Sequence, residues 1–365
     1  MRIMIVTNHA QMLWKFRREL VDALLERAEV TLCMPFDGYE KKFEALGCRC
    51  IEVDVDRRGM NPYVDSRLYA KYRSVLQEER PDFAILYSIK PNVYAGYACR
   101  RLEIPFYAHV QGLGSAFYRK GLKQIVTRMY KIGLKTAEKV FFENQSDAKC
   151  FIQHKIIPKE KAVLLHGAGV NLQHFVPLPY PDESQGIRFL FVGRIMKEKG
   201  IEELFEAARK LKQRGYRFTL DLAGFFEENY QEAVRKMMQQ GIVRFHGFKQ
   251  DVRPLYVAAH CVVLPSYHEG MSNVLLEGAA CARALITTDV PGCREAVEPG
   301  KNGLLCRRAD ANSLYRCFKT FLDMQTDERK RMGEAGRRLV EKYFDRQEVV
   351  KRTLEVLPLD KPKPV

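Results

Sequence analysis

Short apolar, β-branched runs alternate with helical segments along almost the whole chain, and the alternation pauses once. Strand-like runs lie at residues 3–7, 30–34, 50–55, 83–89, 106–110, 140–143 and 162–166, with helical patterns such as 12–27 and 63–79 between them. A stretch without period then carries Pro177, Pro179 and Pro181. The series resumes at residues 189–192, 219–223, 243–248, 261–264, 285–288 and 304–306. Strands separated by helices form right-handed βαβ units and hence parallel sheets. The pattern predicts an α/β chain of two Rossmann-like domains, 1–172 and 186–340, with a linker at 173–185. A length of 365 residues suits two domains of ordinary size. Ligands of such folds bind at the carboxyl ends of the strands.

One unit of the second series carries the chemistry. Residues 261–264 read as a buried strand, Pro265, Ser266 and Gly270 break it into a turn, and a helix is expected over 271–282. Glu269 stands in the turn and Glu277 eight residues on. Eight residues of helix rise by about 12 Å. That is too far for an acid–base pair on one bond, but it suits the two ends of one long ligand. Between the carboxylates, the first-turn N–H groups of Gly270, Met271, Ser272 and Asn273 and the helix dipole favour an anion. A nucleotide-sugar has this layout of sugar, diphosphate and ribose. Two glutamates at this spacing are common on surface helices; the position of Glu269 directly after a buried strand favours the ligand reading.

The run from Pro265 to Glu277, Pro-Ser-Tyr-His-Glu-Gly-Met-Ser-Asn-Val-Leu-Leu-Glu, resembles the Glu-x7-Glu signature of family 4 retaining glycosyltransferases. The resemblance implies the GT-B fold, two facing Rossmann-like domains with the active site in the cleft. It also implies a final helix, 341–357, that crosses back to the first domain. It is nearest to bacterial hexosyl- and N-acetylhexosaminyltransferases of lipid-linked glycan assembly. It therefore implies transfer of a hexose or N-acetylhexosamine, with retention, from a UDP-sugar to a polyprenyl-diphosphate-linked saccharide. Glu269 would bind donor hexose hydroxyls and Glu277 the ribose. An alternative keeps fold and donor but makes the acceptor soluble, such as a sugar phosphate.

Three further segments fit a donor site. Gly193 to Gly200 ends a strand and starts a helix, and Arg194 and Lys199 there suit a departing diphosphate without a metal. Lys197 in the same turn also reads as a solvated base. By resemblance, the backbone around Phe248 and Val252 holds the nucleobase, with Asp251 capping the next helix. The loop His109-Val110-Gln111-Gly112-Leu113-Gly114 resembles a transferase loop that faces the donor sugar, although Gln111 departs from the usual Thr or His. His109 there is either a sugar contact or a core histidine.

Composition narrows the compartment and the partners. Ten cysteines show neither a CxxC pair nor a metal spacing, which points to a reducing cytoplasm. No Asp-x-Asp stretch has apolar residues on both flanks, so no metal or other cofactor is expected beside the nucleotide-sugar co-substrate. The net charge of +15 calls for an anionic partner. A nucleic-acid-binding protein would satisfy it, yet no such motif is present and the two glutamates would have no role. Lys15, Phe16, Arg17 and Arg18 place an aromatic among cations, which suits an anionic bilayer surface; Phe16-Arg17 also resembles transferases that extend lipid-linked sugars. Arg119, Lys120, Lys123, Arg128, Lys131 and Lys135, interleaved with apolar residues, make a second such face or an ordinary amphipathic helix. The expected location is cytoplasmic, peripheral on the inner face of the plasma membrane. The tail from Pro358 is expected to be disordered.

Overall fold

The computed structural model of the chain describes residues 1–56, 59, 61–114, 117 and 121–359. Arg119 and Lys120 of the second basic face, and tail residues 360–365, lie outside the described residues. The chain forms two compact units, Met1–Ala168 with Gln347–Val365, and Gly169–Arg346.

The first unit holds β1 (Arg2–Val6), β2 (Glu29–Met34), β3 (Arg49–Glu52), β4 (Phe83–Tyr87), β5 (Phe106–Val110), β6 (Lys139–Phe142) and β7 (Ala162–Leu164). Their order is β3-β2-β1-β4-β5-β6-β7, all parallel. The second unit holds β8 (Ile187–Val192), β9 (Phe218–Ala223), β10 (Val243–Phe245), β11 (Cys261–Leu264), β12 (Ala284–Thr288) and β13 (Gly303–Cys306). Their order is β10-β9-β8-β11-β12-β13, also all parallel. The central strands β4, β5, β11 and β12 are buried at every position, which is why they read as continuous apolar runs rather than alternating ones. Each sheet reverses its winding once, between β1 and β4 and between β8 and β11. The crevice at such a reversal is where an open α/β sheet takes a ligand.

Strand ends differ from the sequence reading where a side chain or backbone angle intervenes. The run 83–89 stops at Tyr87 because Ser88 turns into the left-handed region at φ 75°, and Pro91–Ala95 then makes a π-helical turn. The stretch 173–185 is no loose tether. Phe175 is buried in the second core, and the buried Arg283 donates to the carbonyl of Pro179 at 2.8 Å. Arg329 forks Glu183 at 2.9 and 2.7 Å. Burial opposes the Glu183 charge, but Arg329, Tyr180 and Thr326 hold its carboxyl down to about 2. The prolines that removed any period also keep the chain extended, leaving its carbonyls open to arginine donors.

The charged C-terminal stretch breaks into helices Thr326–Tyr343 and Arg346–Val356. At the break, Val170 N–H donates to the Phe344 carbonyl at 2.8 Å and Arg346 N–H to the Val170 carbonyl at 3.1 Å. The last helix therefore begins at Arg346, later than the expected 341, and buries Val349, Val350 and Leu357 in the core that contains Ile3, Leu20 and Leu24.

Candidate active site

Two loops meet at the reversal of the second sheet: residues 193–200 after β8 and residues 265–272 after β11. Tyr267 N–H donates to the Glu198 carbonyl at 2.8 Å, and His268 Nε2 lies 3.4 Å from the Glu198 carboxylate. The Lys199 ammonium donates to Glu269 Oε1, and the Ser266 hydroxyl donates to the same oxygen at 2.7 Å. The side chains of Lys199 and Glu269 are only 17% and 16% exposed, so water screens the pair weakly. Burial pushes the Glu269 carboxyl up, but Lys199 and Ser266 more than offset this and hold it below the ordinary carboxylate range. A depressed carboxyl stabilises the fold above its ordinary value of about 4.3. That stability is lost as pH falls through the lower folded value. The cation and the carboxylate that the sequence placed in separate segments thus form one contact.

The helix after this loop is shorter than expected. It spans Asn273–Ala280, with Ser272 as an extended N-cap whose hydroxyl accepts from Leu275 N–H at 3.4 Å. Ser272 N–H itself donates to the Gly292 carbonyl at 2.8 Å. Gly270, Met271 and Ser272 are therefore loop, and the dipole-bearing first turn starts at Asn273. Capping by Ser272 decided this; residue propensity alone extends the helix backwards. Glu269 consequently is not on the helix, and the about 12 Å helical separation from Glu277 does not apply.

The loop also depends on Gly292, at φ 81°, where an added Cβ would sit 2.4 Å from the Glu269 carbonyl. Gly292→Ala combines left-handed strain of roughly 1–2 kcal/mol with displacement of the Glu269 backbone. We expect a lower thermal midpoint and impaired turnover together. A variant of wild-type stability and activity would show that the loop tolerates the shift.

Glu277 lies within the helix, 9% exposed, and its carboxylate accepts from the Tyr256 hydroxyl at 3.0 Å. Tyr256 belongs to the helix Arg253–Ala258, whose N-cap is Val252. Asp251 is not that cap. It stands one residue earlier, accepts from Arg253 N–H at 3.0 Å and pairs with the Arg253 guanidinium at 2.7 Å. Phe248 is half exposed. Arg194 lies just past β8, 41% exposed and 3.7 Å from Glu227.

That last contact shows a segment the sequence reading missed. Ile195 N–H donates to the Phe225 carbonyl at 2.9 Å, and Lys197 N–H to the Glu228 carboxylate at 2.8 Å. Residues 225–228, after β9, thereby brace the cationic loop. The adjacent glutamates in the loop shortly after a strand were a readable signal.

The first unit corrects several expectations. The His109 ring is buried between those of Tyr87 and Phe141, at centroid distances of 4.3 and 4.4 Å. Burial, reinforced by Arg17, lowers its pKa well below normal and keeps it neutral. His109 is a core histidine. Gln111 is held by the Ser88 hydroxyl at 3.2 Å, and Gly112 and Gly114 both adopt positive φ. Arg17 is buried and paired with Glu143 at 2.6 Å. Arg18 is exposed, stacks over Trp14 at 4.7 Å and pairs with Asp22, while Lys15 and Phe16 are half buried. These four consecutive residues cannot share a face, because a helix advances about 100° per residue. Arg17 instead falls on the core stripe of Leu13, Leu20, Val21 and Leu24. Among the described residues, no three His, Cys, Asp or Glu side chains are grouped to hold a metal ion.

Comparison with known proteins agrees with this geometry. Residues 16–173 match the model described as Glycosyltransferase Family 4, and residues 180–339 that of Glycosyl transferases group 1. The chain is a GT-B glycosyltransferase. This glycosyltransferase is 28% identical over 353 residues, 92% of either chain, to the N,N'-diacetylbacillosaminyl-diphospho-undecaprenol alpha-1,3-N-acetylgalactosaminyltransferase of Campylobacter jejuni. It is 28% identical over 210 residues, 55% of this chain and 51% of the relative, to the putative colanic acid biosynthesis glycosyltransferase WcaL of Escherichia coli. Its fold is similar to that of Anabaena HepE crystallised with UDP and glucose, at TM-score 0.80 and 19% identity over 97% of this chain and 98% of that one. No described helix of the glycosyltransferase is long and apolar enough to cross a membrane.

Proposed function

We propose that this glycosyltransferase moves a hexose or N-acetylhexosamine, with retention and without a metal ion, from a UDP-sugar to a polyprenyl-diphosphate-linked saccharide. The observation that carries the donor half is the largely buried Lys199–Glu269–Ser266 contact beside a capped helix that contains Glu277. Glu269 binds donor hexose hydroxyls and Glu277 the ribose. Arg194 and Lys199 stabilise the charge that develops on the leaving diphosphate, and the base lies by Phe248 and Val252. Similarity over nearly the full length to a transferase named for an undecaprenyl-diphosphate acceptor supports the acceptor half.

Such an acceptor places the enzyme at the inner face of the plasma membrane. With Arg17 buried, the docking surface we assign is the helix Leu122–Gly133. Its exposed side presents Ile125 and Ile132 between Lys123, Arg128 and Lys131, and the helix contains no acidic residue. The protein should co-sediment with anionic vesicles at low salt and detach as salt rises. Equal binding to neutral vesicles would refute an electrostatic dock.

The decisive assay offers UDP-sugars with a detergent-solubilised polyprenyl-diphosphate saccharide or with soluble sugar phosphates, in EDTA. Transfer to the lipid-linked acceptor alone is expected, with the donor's anomeric configuration kept in the product. Transfer only to soluble acceptors overturns the acceptor assignment. Activity abolished by EDTA and restored only by added metal overturns the metal-free mechanism.

A further inference from the structure

One side chain fastens the loops of Lys199 and Glu269 to each other on both sides of Lys199. Tyr267, two residues before Glu269, donates its N–H to the Glu198 carbonyl at 2.8 Å and its hydroxyl to Glu203 Oε1 at 2.7 Å. Glu198 immediately precedes Lys199, and Glu203 lies four residues beyond it, in the first turn of the helix Ile201–Gln213. From a third loop, after β13, the Arg308 guanidinium lies over the Tyr267 ring at 5.2 Å. The first two loops also touch directly. Gly200 has a φ of 72°, and a Cβ there would sit 2.1 Å from the Pro265 carbonyl oxygen.

Glu203 is not an ordinary solvated carboxylate at a helix start. Its Oε2 is buried with no hydrogen-bond partner, so the carboxylate depends on the Tyr267 hydroxyl. Burial, with Glu203 beside it, pushes that hydroxyl well above its ordinary pKa and keeps it a donor.

Lys199 and Glu269 bond each other here. In the transfer reaction proposed above both turn to the donor, Lys199 to the diphosphate and Glu269 to the sugar. Their mutual bond then cannot set their spacing, and the backbone beneath them has to.

We propose that Tyr267, anchored on Glu203, is a positioning residue that fixes the spacing of Lys199 and Glu269 while the donor engages both. The proposal rests on the nucleotide-sugar reading above and adds two residues outside the pair of signature glutamates. Attraction between a cation and a diphosphate tolerates a small displacement, whereas alignment at the reacting carbon does not. Loss of the Tyr267–Glu203 bond therefore falls on turnover rather than on nucleotide affinity.

The test is transfer kinetics from a UDP-sugar to the acceptor that the assay above identifies, with calorimetric titration by UDP and thermal midpoints, on Tyr267→Phe, Glu203→Ala, Glu203→Gln and the double variant Tyr267→Phe, Glu203→Ala. Tyr267→Phe and Glu203→Ala should each lower kcat roughly tenfold, with UDP affinity within about twofold of the unsubstituted protein. The double variant should lose no more than the worse single one, because both remove the same bond. Glu203→Gln keeps an acceptor oxygen and should retain most of the turnover. A lower thermal midpoint with kcat unchanged, or losses that multiply in the double variant, reduces the bond to a structural one and overturns the proposal. UDP binding lost in step with kcat overturns it too, and each of these results leaves the nucleotide-sugar reading standing. Failure of the unsubstituted protein to transfer from any UDP-sugar overturns that reading, and the role of Tyr267 with it.

Discussion

Glu269→Gln lowers kcat by about 100-fold or more while changing UDP affinity little. Glutamine keeps the size of the side chain and one acceptor oxygen, but it loses the charge that strengthens bonds to sugar hydroxyls. In the proposed donor pose those bonds sit next to the reacting carbon, where position matters most in the transition state. The substitution also removes the counter-charge of Lys199, which is itself largely buried. Glu277→Ala acts on the other end of the donor as proposed. It removes a buried carboxylate that the Tyr256 hydroxyl already orients, and weakens UDP binding by about 1.5–3 kcal/mol. Steady-state kinetics and calorimetry on both variants separate the two effects. If Glu269→Gln loses UDP binding while Glu277→Ala retains it, the donor lies in the opposite direction.

Lys199→Ala should cost both turnover and stability, whereas Arg194→Ala should cost turnover alone. In the proposed site both remove a cation from the leaving diphosphate, where charge develops in the transition state. They differ in what they leave behind. Arg194 is 41% exposed and its contact with Glu227 is long, so losing it leaves no buried charge stranded. Removing Lys199 leaves the Glu269 carboxylate buried without its cation, at a cost of about 3 kcal/mol, the low end for a broken buried pair. Burial then dominates, and the Glu269 carboxyl rises. In the unsubstituted protein this carboxyl is depressed, so stability falls as pH drops below about 4.3. In Lys199→Ala that acid-sensitive contribution disappears. Thermal midpoints between about pH 3 and 7 check it, and the double variant Lys199→Ala, Glu269→Gln should regain stability but not turnover. Full turnover in both single variants would remove these cations from the mechanism.

The strands, their parallel pairing and the presence of two sheets were legible because burial on both faces writes continuous apolar runs into β4, β5, β11 and β12. The placement of Glu269 in a loop and Glu277 in the helix that follows was legible because both lie within one strand–loop–helix unit, but the spacing between them was not, because part of it is loop. Propensity misjudged the start of the helix by two residues, since a capping serine rather than a helix former sets it.

What the sequence could not determine is whatever joins residues far apart along it. The order of the strands, and so the location of the two reversals, follows from pairing that no local pattern encodes. Lys199 and Glu269 are 70 residues apart and meet only because β8 and β11 are neighbours. Arg17 and Glu143 meet because the helix Ala10–Leu25 packs its core stripe near the end of β6, and that contact turns a presumed membrane cation into a buried ion pair. Phe225 and Phe248 meet because β9 and β10 are neighbours. Local periodicity records which face of an element is buried, whereas only tertiary structure decides which side chains share the space at its end.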